Sequence, residues 1–381
     1  MFVWGAGEYG EKAIIKYGDM VTSVIDNSPD KKGQQFFEKT IISFDEYLQS
    51  SCEDKHVVIC ASFYNRLSII RQLKEYGIYD YEIFSPQLFD DVDLVFNQYE
   101  QFDGVSEEAW NAKIENDGNI ERVEAYVEVH RDKPQLFHEI EIETINRCNG
   151  TCSFCPVNVK RDIRKPAFME EALFYKIVED LHNLNYTGRV ALFSNNEPFL
   201  DKRIIDFSKY LREEVPLAQI HLFTNGTLLS IDKFDSIIEY LDELIIDNYN
   251  QNLELNESVK KIKEHVEYLG DGSIRNKVKI LLRKSDEYLS SRGGDAPNRS
   301  EVIDVSQRKC ALPWCQMIVR PTGEVSLCCN DPYGKMTLGD LNKESLTEVW
   351  YGQKYTELRQ KLLKGRGEVE HCSRCDTFMV I

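Results

Sequence analysis

The chain has 381 residues, of which 42% are hydrophobic and 29% are charged, and its formal net charge is −18. This length is enough for two or three domains, and the acidic charge argues against a nucleic acid partner because it repels a phosphate backbone. No apolar run reaches the roughly 18 residues of a membrane span, and the N-terminus lacks the basic and apolar regions of a secretory signal. We therefore expect a cytoplasmic protein without a membrane span.

Residues 1–87 alternate between short apolar runs and helical stretches, which predicts a small parallel sheet. The strand candidates are MFVW, VTSVID, HVVICA and YEIF. Gly5, Gly7 and Gly10 form a G-x-G-x-x-G turn after the first candidate, and Asp26 ends the second. This spacing matches the dinucleotide fingerprint, in which glycines let phosphate approach a helix N-terminus and the acid binds a ribose diol.

This first segment is too short for both halves of a full NAD fold. It resembles the small Rossmann-like domains that are attached to surface-polysaccharide and nucleotide-sugar enzymes. That resemblance implies a nucleotide or a nucleotide sugar as its ligand. A redox NAD site and a docking domain without a ligand are the alternatives.

Residues 88–135 are acidic and have little strand character, so we interpret them as a helical linker. From residue 136 the alternation restarts. The strand candidates, separated by helical stretches, are HEIEIETI, RVALFS, IHLFTN, ELIIDN and VKILLRK. These repeated units over residues 136–300 predict a partial (β/α)6 barrel, in which the chemistry lies at the C-terminal ends of the strands.

Three cysteines, Cys148, Cys152 and Cys155, come directly after the first barrel strand. Three thiolates on a four-iron cluster leave one iron without a protein ligand, and that iron can bind a cofactor or a substrate. A zinc site completed by His138 is the alternative. We expect the cluster because the loop follows a barrel strand and has an aromatic residue before its third cysteine.

This C-x3-C-x2-C loop, with Phe154 before its last cysteine, resembles the signature of the radical S-adenosylmethionine (radical SAM) superfamily, and the resemblance covers about residues 136–381. It implies that SAM chelates the open iron of a [4Fe–4S] cluster held by the three cysteines. It also implies that SAM is cleaved to methionine and a 5′-deoxyadenosyl radical, which abstracts hydrogen from a C–H bond. A reductant such as flavodoxin or ferredoxin is the implied partner.

The same resemblance implies SAM contacts at the ends of the later barrel strands. Glu197 stands where the superfamily usually has a Gly-Gly-Glu turn, although both glycines are asparagines in this chain. The residues implied to contact SAM are Phe154, Asn196, Glu197, Thr224, Asn225, Asp247 and Arg283. Ordinary polar capping of loops is the alternative for each of them.

A second group of cysteines lies near the C-terminus. Its members are Cys310, Cys328, Cys372 and Cys375. The spacing from the first of them through Gly323 to the second resembles the opening of SPASM domains. Six residues follow the last of them, so we expect the shorter twitch form over residues 301–381, in which the four thiolates hold one auxiliary [4Fe–4S] cluster. A structural zinc site is the alternative.

We interpret the chain as a radical SAM oxidoreductase, of the dehydrogenase or epimerase type, that acts on a carbohydrate-like or nucleotide-linked small molecule. The resemblance implies Arg292 as the catalytic residue, because a similarly placed arginine contacts the substrate hydroxyl in the twitch-type dehydrogenase. Pairing of Arg292 with a local acid such as Asp286 or Asp295 is the alternative. Cys315 and Cys329 are interpreted as packing residues. The alternatives are a radical SAM peptide or protein maturase, and a zinc-stabilised nucleotide-sugar-binding protein without radical chemistry.

Overall fold

The computed structural model describes residues 1–52, 54–61, 63–84, 93–100, 106–116 and 118–380. The chain forms two compact units, Met1–Asp90 and Asp91–Ile381. Among the described residues, no helix has both the length and the apolar character that crossing a membrane requires.

The N-terminal unit is a sheet with helices between its strands. Its strands are β1 (Phe2–Trp4), β2 (Ser23–Ile25), β3 (Gln35–Phe36), β4 (Lys39–Ile42), β5 (Val57–Ile59) and β6 (Tyr81–Ile83). Its helices are α1 (Glu8–Tyr17), α2 (Phe44–Gln49) and α3 (Phe63–Glu75). The strand order is β3-β4-β2-β1-β5-β6, and every pair except β3–β4 is parallel. The predicted parallel sheet is present, whereas the assignment as a Rossmann-like nucleotide-binding domain stays a prediction.

The turn between β1 and α1 contains the three glycines of the fingerprint, and their surroundings differ. Gly5 has a φ of +125°, and a Cβ there would collide with the backbone oxygen of Cys60. A Cβ on Gly10 would collide with the backbone oxygen of Gly5. A Cβ on Gly7 would meet nothing within 4 Å. The packing of the sheet therefore accounts for Gly5 and Gly10, but not for Gly7.

The larger unit is built on one mixed sheet, in which the pairs from β13 to β7 are parallel and β14 pairs antiparallel with both β13 and β15. Its strands are β7 (Val95–Asn97), β8 (Glu139–Ile142), β9 (Arg189–Ala191), β10 (Gln219–Thr224), β11 (Glu243–Tyr249), β12 (Val278–Arg283), β13 (Gln316–Val319), β14 (Glu324–Ser326) and β15 (Thr337–Asp340). The order is β15-β14-β13-β8-β9-β10-β11-β12-β7. Strands β8 to β12 are the five barrel strands expected from the sequence, and they lie side by side in chain order. The predicted mixed α/β fold is confirmed.

Helices connect these strands and continue to the C-terminus. They are α4 (Glu107–Asn116), α5 (Asn119–His130), α6 (Glu171–Asn183), α7 (Ile204–Glu214), α8 (Ile231–Ile237), α9 (Glu257–Leu269), α10 (Gly272–Arg275), α11 (Leu312–Cys315), α12 (Leu346–Trp350) and α13 (Gln353–Lys364). Parallel strands that follow one another in chain order are joined by right-handed crossovers, which place α6 to α9 on one face of the sheet. The opposite face is the inner face of the barrel.

The segment interpreted as a helical linker, residues 88–135, differs from the expectation in one respect. It contains α4 and α5, but it also supplies β7, which pairs in parallel with β12. The pairing joins Val95 to Ile280 and Asn97 to Leu282. An edge strand leaves a row of backbone groups without partners, and β7 satisfies those of β12.

Gly5→Ala is expected to destabilise the N-terminal unit, whereas Gly7→Ala is expected to leave its stability unchanged. At residue 5, alanine combines a positive φ with a collision against the backbone, and these effects cost about 1–2 and about 1–3 kcal/mol. Hydrogen exchange of the β1 and β5 amides in the full chain measures the difference. Equal protection in the two variants would contradict this account of the turn.

Candidate active site

The first cysteine loop begins shortly after β8 and surrounds Gly150. The Gly150 backbone N–H donates a hydrogen bond to the Cys148 Sγ at 3.2 Å. A Cβ added to this glycine would lie 3.2 Å from the Cys148 Sγ and 3.9 Å from the Cys152 Sγ. Glycine therefore keeps the space beside the two sulfurs free of a side chain.

The thiols of this loop influence one another. Burial, with a smaller contribution from Cys155, raises the pKa of Cys148 to about 11 and that of Cys152 to about 12. All three thiols thus lie within electrostatic range. Iron binds the thiolate form, so loading this site releases protons and becomes easier as the pH rises.

Contacts to the backbone hold the loop in place. The Asn158 side-chain amide donates to the carbonyl oxygens of Cys152 at 2.8 Å and Cys155 at 3.0 Å. The ring of Phe154 is buried and lies 5.8 Å from the ring of Tyr249 at the end of β11. Sequence reasoning identified Phe154 but missed Asn158, because an asparagine three residues past the motif has no distinctive spacing.

Glu197 connects the ends of two barrel strands. Its Oε1 accepts hydrogen bonds from the Thr224 hydroxyl at 2.8 Å and the Phe199 N–H at 3.1 Å, and its Oε2 accepts one from the Asn225 N–H at 2.8 Å. Burial raises its pKa, while these three donors oppose the shift. The Asn225 amide in turn donates to the Asn149 Oδ1 at 2.8 Å, inside the cysteine loop. The structure therefore brings three predicted residues, Glu197, Thr224 and Asn225, to the first cysteine group.

Asn196, the residue before Glu197, contributes a side-chain amide to this turn. Its Oδ1 accepts a hydrogen bond from the Ser194 N–H at 2.8 Å. Its Nδ2 is buried and has no hydrogen-bond partner among the described residues. A buried donor without a partner costs free energy unless a ligand satisfies it. The carboxylate of SAM has the chemistry to do so.

Asp247 and Arg283, predicted to contact the ribose and the carboxylate of SAM, contact each other. An Arg283 guanidinium nitrogen lies 3.2 Å from the Asp247 carboxylate, and another lies 2.6 Å from the Glu287 carboxylate. The guanidinium is also 5.6 Å from the centre of the Tyr249 ring. Their roles toward SAM stay predictions, and a ligand would have to share these groups with the protein.

The second cysteine group is buried in the C-terminal part of the chain. Its members are Cys310, Cys328, Cys372 and Cys375. Burial raises the pKa of Cys328 well above its ordinary value, and the other three thiols, together with Cys329, raise it further. The structure thus brings all four predicted ligands within electrostatic range of one another.

A buried arginine that the sequence did not reveal holds this group together. Arg366 donates to the carbonyl oxygens of Lys309 at 3.0 Å and Thr377 at 2.6 Å, and also to that of Cys375. Its charge opposes the burial that raises the pKa of the Cys310 thiol. A fixed cation beside four thiols favours their anionic form, which is the form that binds metal.

Among the described residues, no three histidine, cysteine or acidic side chains converge as the ligands of a single metal ion do. A zinc ion draws its thiolates to about 2.3 Å, so its ligands converge on one point. A four-iron cluster is larger and keeps its ligands further apart. The donors present, three thiols in the first group and four in the second, fit a cluster with one open iron and a fully ligated cluster.

Arg292 lies in a loop that packs tightly on the second cysteine group. Arg292, Gly293 and Gly294 all have positive φ values, of 52°, 64° and 86°. A Cβ on Gly293 would collide with the His371 ring, and one on Gly294 would lie 2.9 Å from the Arg374 guanidinium carbon. Only glycine leaves room for this close approach of the loop to the cysteine segment.

The Arg292 guanidinium donates to the Asn195 Oδ1 at 3.3 Å and to the Cys329 carbonyl oxygen at 3.0 Å. The acids expected as its alternative partners are engaged elsewhere. Asp295 pairs with a lysine at 2.5 Å, and Asp286 accepts a hydrogen bond from a glutamine at 2.6 Å. The side chain thus bridges the turn of Glu197 and the auxiliary cysteine region.

Asp26 of the N-terminal unit is fully engaged by neighbouring groups. It accepts hydrogen bonds from the Ala6 N–H at 3.0 Å, the Ser28 N–H at 2.9 Å and the Lys31 ammonium at 3.0 Å. Burial would raise its pKa, but these donors lower it. A ribose diol would have to compete with Lys31 for this carboxylate.

Two family models match the chain, and each match contains one cysteine group. Residues 142–263 match the radical SAM superfamily, and residues 310–376 match the SPASM iron–sulfur cluster-binding domain. These matches confirm the radical SAM and SPASM-type regions expected from the sequence, and neither of them includes the N-terminal unit.

The chain is also similar to individual proteins. It is 27% identical over 248 residues to the S-adenosyl-L-methionine-dependent 2-deoxy-scyllo-inosamine dehydrogenase of Niallia circulans, which covers 65% of this chain and 95% of that relative. A crystal structure of BtrN in complex with AdoMet and 2-DOIA is 28% identical, has a TM-score of 0.55, and covers 65% of this chain and 95% of the other. The mixed α/β fold is therefore shared with a solved structure.

Cys148→Ala and Cys372→Ala are each expected to remove one cluster. Anaerobically reconstituted wild-type protein should bind about eight irons, as two [4Fe–4S] clusters do, and each variant about four. Iron and sulfide analysis measures the loss. Cys315→Ala is the control, because this buried thiol donates to the Ala311 carbonyl oxygen at 3.4 Å and belongs to neither group. Full iron content in either ligand variant would refute its assignment.

Proposed function

We propose that this member of the radical SAM superfamily, with its C-terminal SPASM-type domain, oxidises a hydroxyl-bearing carbon of a carbohydrate-like small molecule. The observation that carries the proposal is the similarity over 95% of the length of a 2-deoxy-scyllo-inosamine dehydrogenase that depends on S-adenosyl-L-methionine. A nucleotide-linked sugar is the other form of substrate that we consider. Flavodoxin or ferredoxin is the proposed reductant.

The proposed enzyme uses SAM and two [4Fe–4S] clusters. Cys148, Cys152 and Cys155 would hold the first cluster, and the four C-terminal cysteines would hold the second. When bound, SAM and the first cluster supply a radical that takes a hydrogen atom from an unactivated C–H bond. The free Nδ2 of Asn196 suits the SAM carboxylate, and Glu197 fixes the surrounding turn through its three hydrogen bonds.

Arg292 is the proposed contact for the substrate hydroxyl. Its guanidinium lies between Asn195, next to the proposed SAM contacts, and Cys329, next to the auxiliary ligand Cys328. No ion pair joins it to a carboxylate in the part of the chain that the structure describes, so its charge stays available to a ligand. Because arginine remains protonated at working pH, its role is to position the hydroxyl and stabilise negative charge there.

Epimerisation is the second candidate outcome, and Cys329 is the observation that favours it. Burial raises the pKa of its thiol well above the ordinary value, and Glu141 raises it further. It therefore remains an S–H group, the form that can return a hydrogen atom to a substrate radical. Peptide or protein maturation and a non-catalytic zinc protein are not favoured by these findings.

The N-terminal unit is proposed to bind the phosphate of a nucleotide or nucleotide sugar at the start of α1. Gly7, the residue before α1, has open space where a side chain would be. The Lys31 ammonium, 3.0 Å from Asp26, supplies a positive charge in the same unit. Backbone N–H groups at a helix N-terminus and a nearby cation are suited to an anion.

Arg292→Lys is expected to leave SAM cleavage without substrate intact and to lower product formation strongly. Lysine keeps the charge but loses the planar fork that lets arginine hold two acceptors and a hydroxyl together. The assay follows 5′-deoxyadenosine and ketone from 2-deoxy-scyllo-inosamine, with Arg308→Lys as a control at an exposed ion pair.

The wild-type result of the same assay tests the proposed function itself. Ketone and deoxyadenosine in equal amounts support dehydrogenation. A recovered alcohol with inverted configuration and solvent deuterium at its carbinol carbon supports epimerisation. If neither product forms, a carbohydrate-like substrate of this kind is ruled out.

Gly7→Val is expected to abolish phosphate-ligand binding by the N-terminal unit without unfolding it. The valine side chain would occupy the open space through which a phosphate approaches the backbone. Isothermal titration of the full chain with uridine diphosphate and a uridine-diphosphate sugar measures the effect. Equal binding by both forms, or none by the wild type, would favour a docking role.

A further inference from the structure

Two glutamates project from β8 onto the inner face of the barrel. Glu139 and Glu141 are two residues apart, so they share a face of the strand, and Ile140 and Ile142 point to the other. Both carboxylates are buried. The Gln316 amide on the neighbouring β13 donates to an oxygen of each, at 2.9 Å in both cases. The sequence gives no reason to expect two acids on a buried strand.

Glu139 is the better satisfied of the pair. Its second oxygen accepts a hydrogen bond from Arg189 at 3.2 Å and lies 3.5 Å from the His221 ring nitrogen. Arg189 also pairs with Glu243 at 3.0 Å, across the face of the sheet. These contacts identify Glu139 as part of a closed charge network that stabilises the inner face.

Glu141 differs because one of its carboxylate oxygens is free. The Oε2 is buried and has no hydrogen-bond partner among the described residues. Glu141 is the second-last residue of β8, and the C-terminal ends of parallel strands form the active end of a barrel. A buried acid with a free oxygen costs free energy, and such groups are found where a ligand completes their contacts.

The surroundings of Glu141 belong to the proposed active site. Burial, Glu139 and Glu143 together raise its pKa to about 8, against the opposing effects of the Ser194 side chain and the Arg292 charge. Cys329 also interacts electrostatically with Glu141, which raises the pKa of the Cys329 thiol. Arg292 and Ser194 belong to the loops that carry the proposed substrate and SAM contacts. The carboxyl therefore lies within electrostatic range of the Arg292 guanidinium.

We propose that Glu141 is the proton acceptor for the substrate hydroxyl, with its free Oε2 directed at the oxygen that Arg292 positions. This inference rests on the proposed dehydrogenase function. Oxidation of CH–OH to C=O removes one hydrogen atom, one proton and one electron from the substrate. The hydrogen atom goes to the SAM-derived radical, the proton to the Glu141 carboxylate, and the electron to an iron–sulfur cluster. Arginine cannot accept the proton because it is already charged.

The proposal gives a distinct pH dependence. Proton acceptance needs the carboxylate, whose fraction grows as the pH rises through about 8. The ketone formed per deoxyadenosine should therefore increase over this range in the wild type. In Glu141→Gln the ratio should fall about 100-fold and lose this pH dependence, since a positioned base contributes roughly 10²–10⁴-fold.

The test uses anaerobic holoenzyme and 2-deoxy-scyllo-inosamine deuterated at the carbinol carbon. In Glu141→Gln, deuterium should still appear in 5′-deoxyadenosine while ketone is lost, because hydrogen abstraction precedes proton loss. Glu143→Gln is the matched control: it should still form ketone, with its pH profile moved to lower pH because Glu143 contributes to the raised pKa of Glu141. It removes a neighbouring buried acid whose pKa burial raises to about 7 but which is already paired with Arg164 at 3.0 Å. A wild-type ratio and pH profile in Glu141→Gln would overturn the proposal.

A measurement without turnover separates this proposal from the proposed function. Difference infrared spectroscopy of the wild-type holoenzyme should show a protonated carboxyl band that titrates near pH 8 and is missing in Glu141→Gln. If the band is present but 2-deoxy-scyllo-inosamine is not oxidised, the substrate assignment of the proposed function fails. The protonated carboxyl of Glu141 is then still confirmed. If the band is absent from the wild type, the role of Glu141 is wrong whatever the substrate.

Discussion

The arrangement of the larger unit depends on the contacts made by one buried carboxylate, that of Asp376. It follows directly on Cys375, a proposed ligand of the auxiliary cluster, and is fully buried. It accepts a hydrogen bond from the Ser291 N–H at 2.7 Å, pairs with Arg299 at 2.7 Å, and accepts one from the Trp110 indole at 3.3 Å. One side chain thus connects the cysteine segment to the Arg292 loop and to α4. Losing one partner of such a buried pair typically costs about 3–5 kcal/mol.

A second carboxylate, that of Glu197, organises the opposite side of the site. Its three hydrogen bonds join the turn after β9 to the end of β10, and Asn225 passes the connection to the first cysteine loop. Arg292 then spans the two halves, since its partners Asn195 and Cys329 belong one to each. A few buried polar contacts therefore hold the loops of the site in place at a sheet of mainly apolar strands.

The sequence was sufficient for features that local patterns encode. The five barrel strands and the helices between them follow from apolar periodicity, and the first cysteine group follows from its short spacing. The second cysteine group was identified by its resemblance to SPASM domains. Other features depend on partners distant in the chain. Trp110 meets Asp376 across 266 residues, and β7 finds its place only because the edge of β12 is open. Glu141 was missed for the same reason, because an acid in an apolar strand acquires meaning only from Gln316 and Arg292 beside it.

The backbone at Arg292 has a consequence for how this loop can change. A φ of 52° is unfavourable for any residue that carries a Cβ, by about 1–2 kcal/mol, whereas glycine adopts it without strain. Glycine here would relax the chain and make the fold more stable, yet it would remove the guanidinium that faces the inner barrel. Glycine at this position would thus favour stability and arginine would favour the proposed chemistry, as is found where backbone strain is stored at a functional site. Selection for thermal stability alone would therefore favour loss of the residue that we propose to position the substrate hydroxyl.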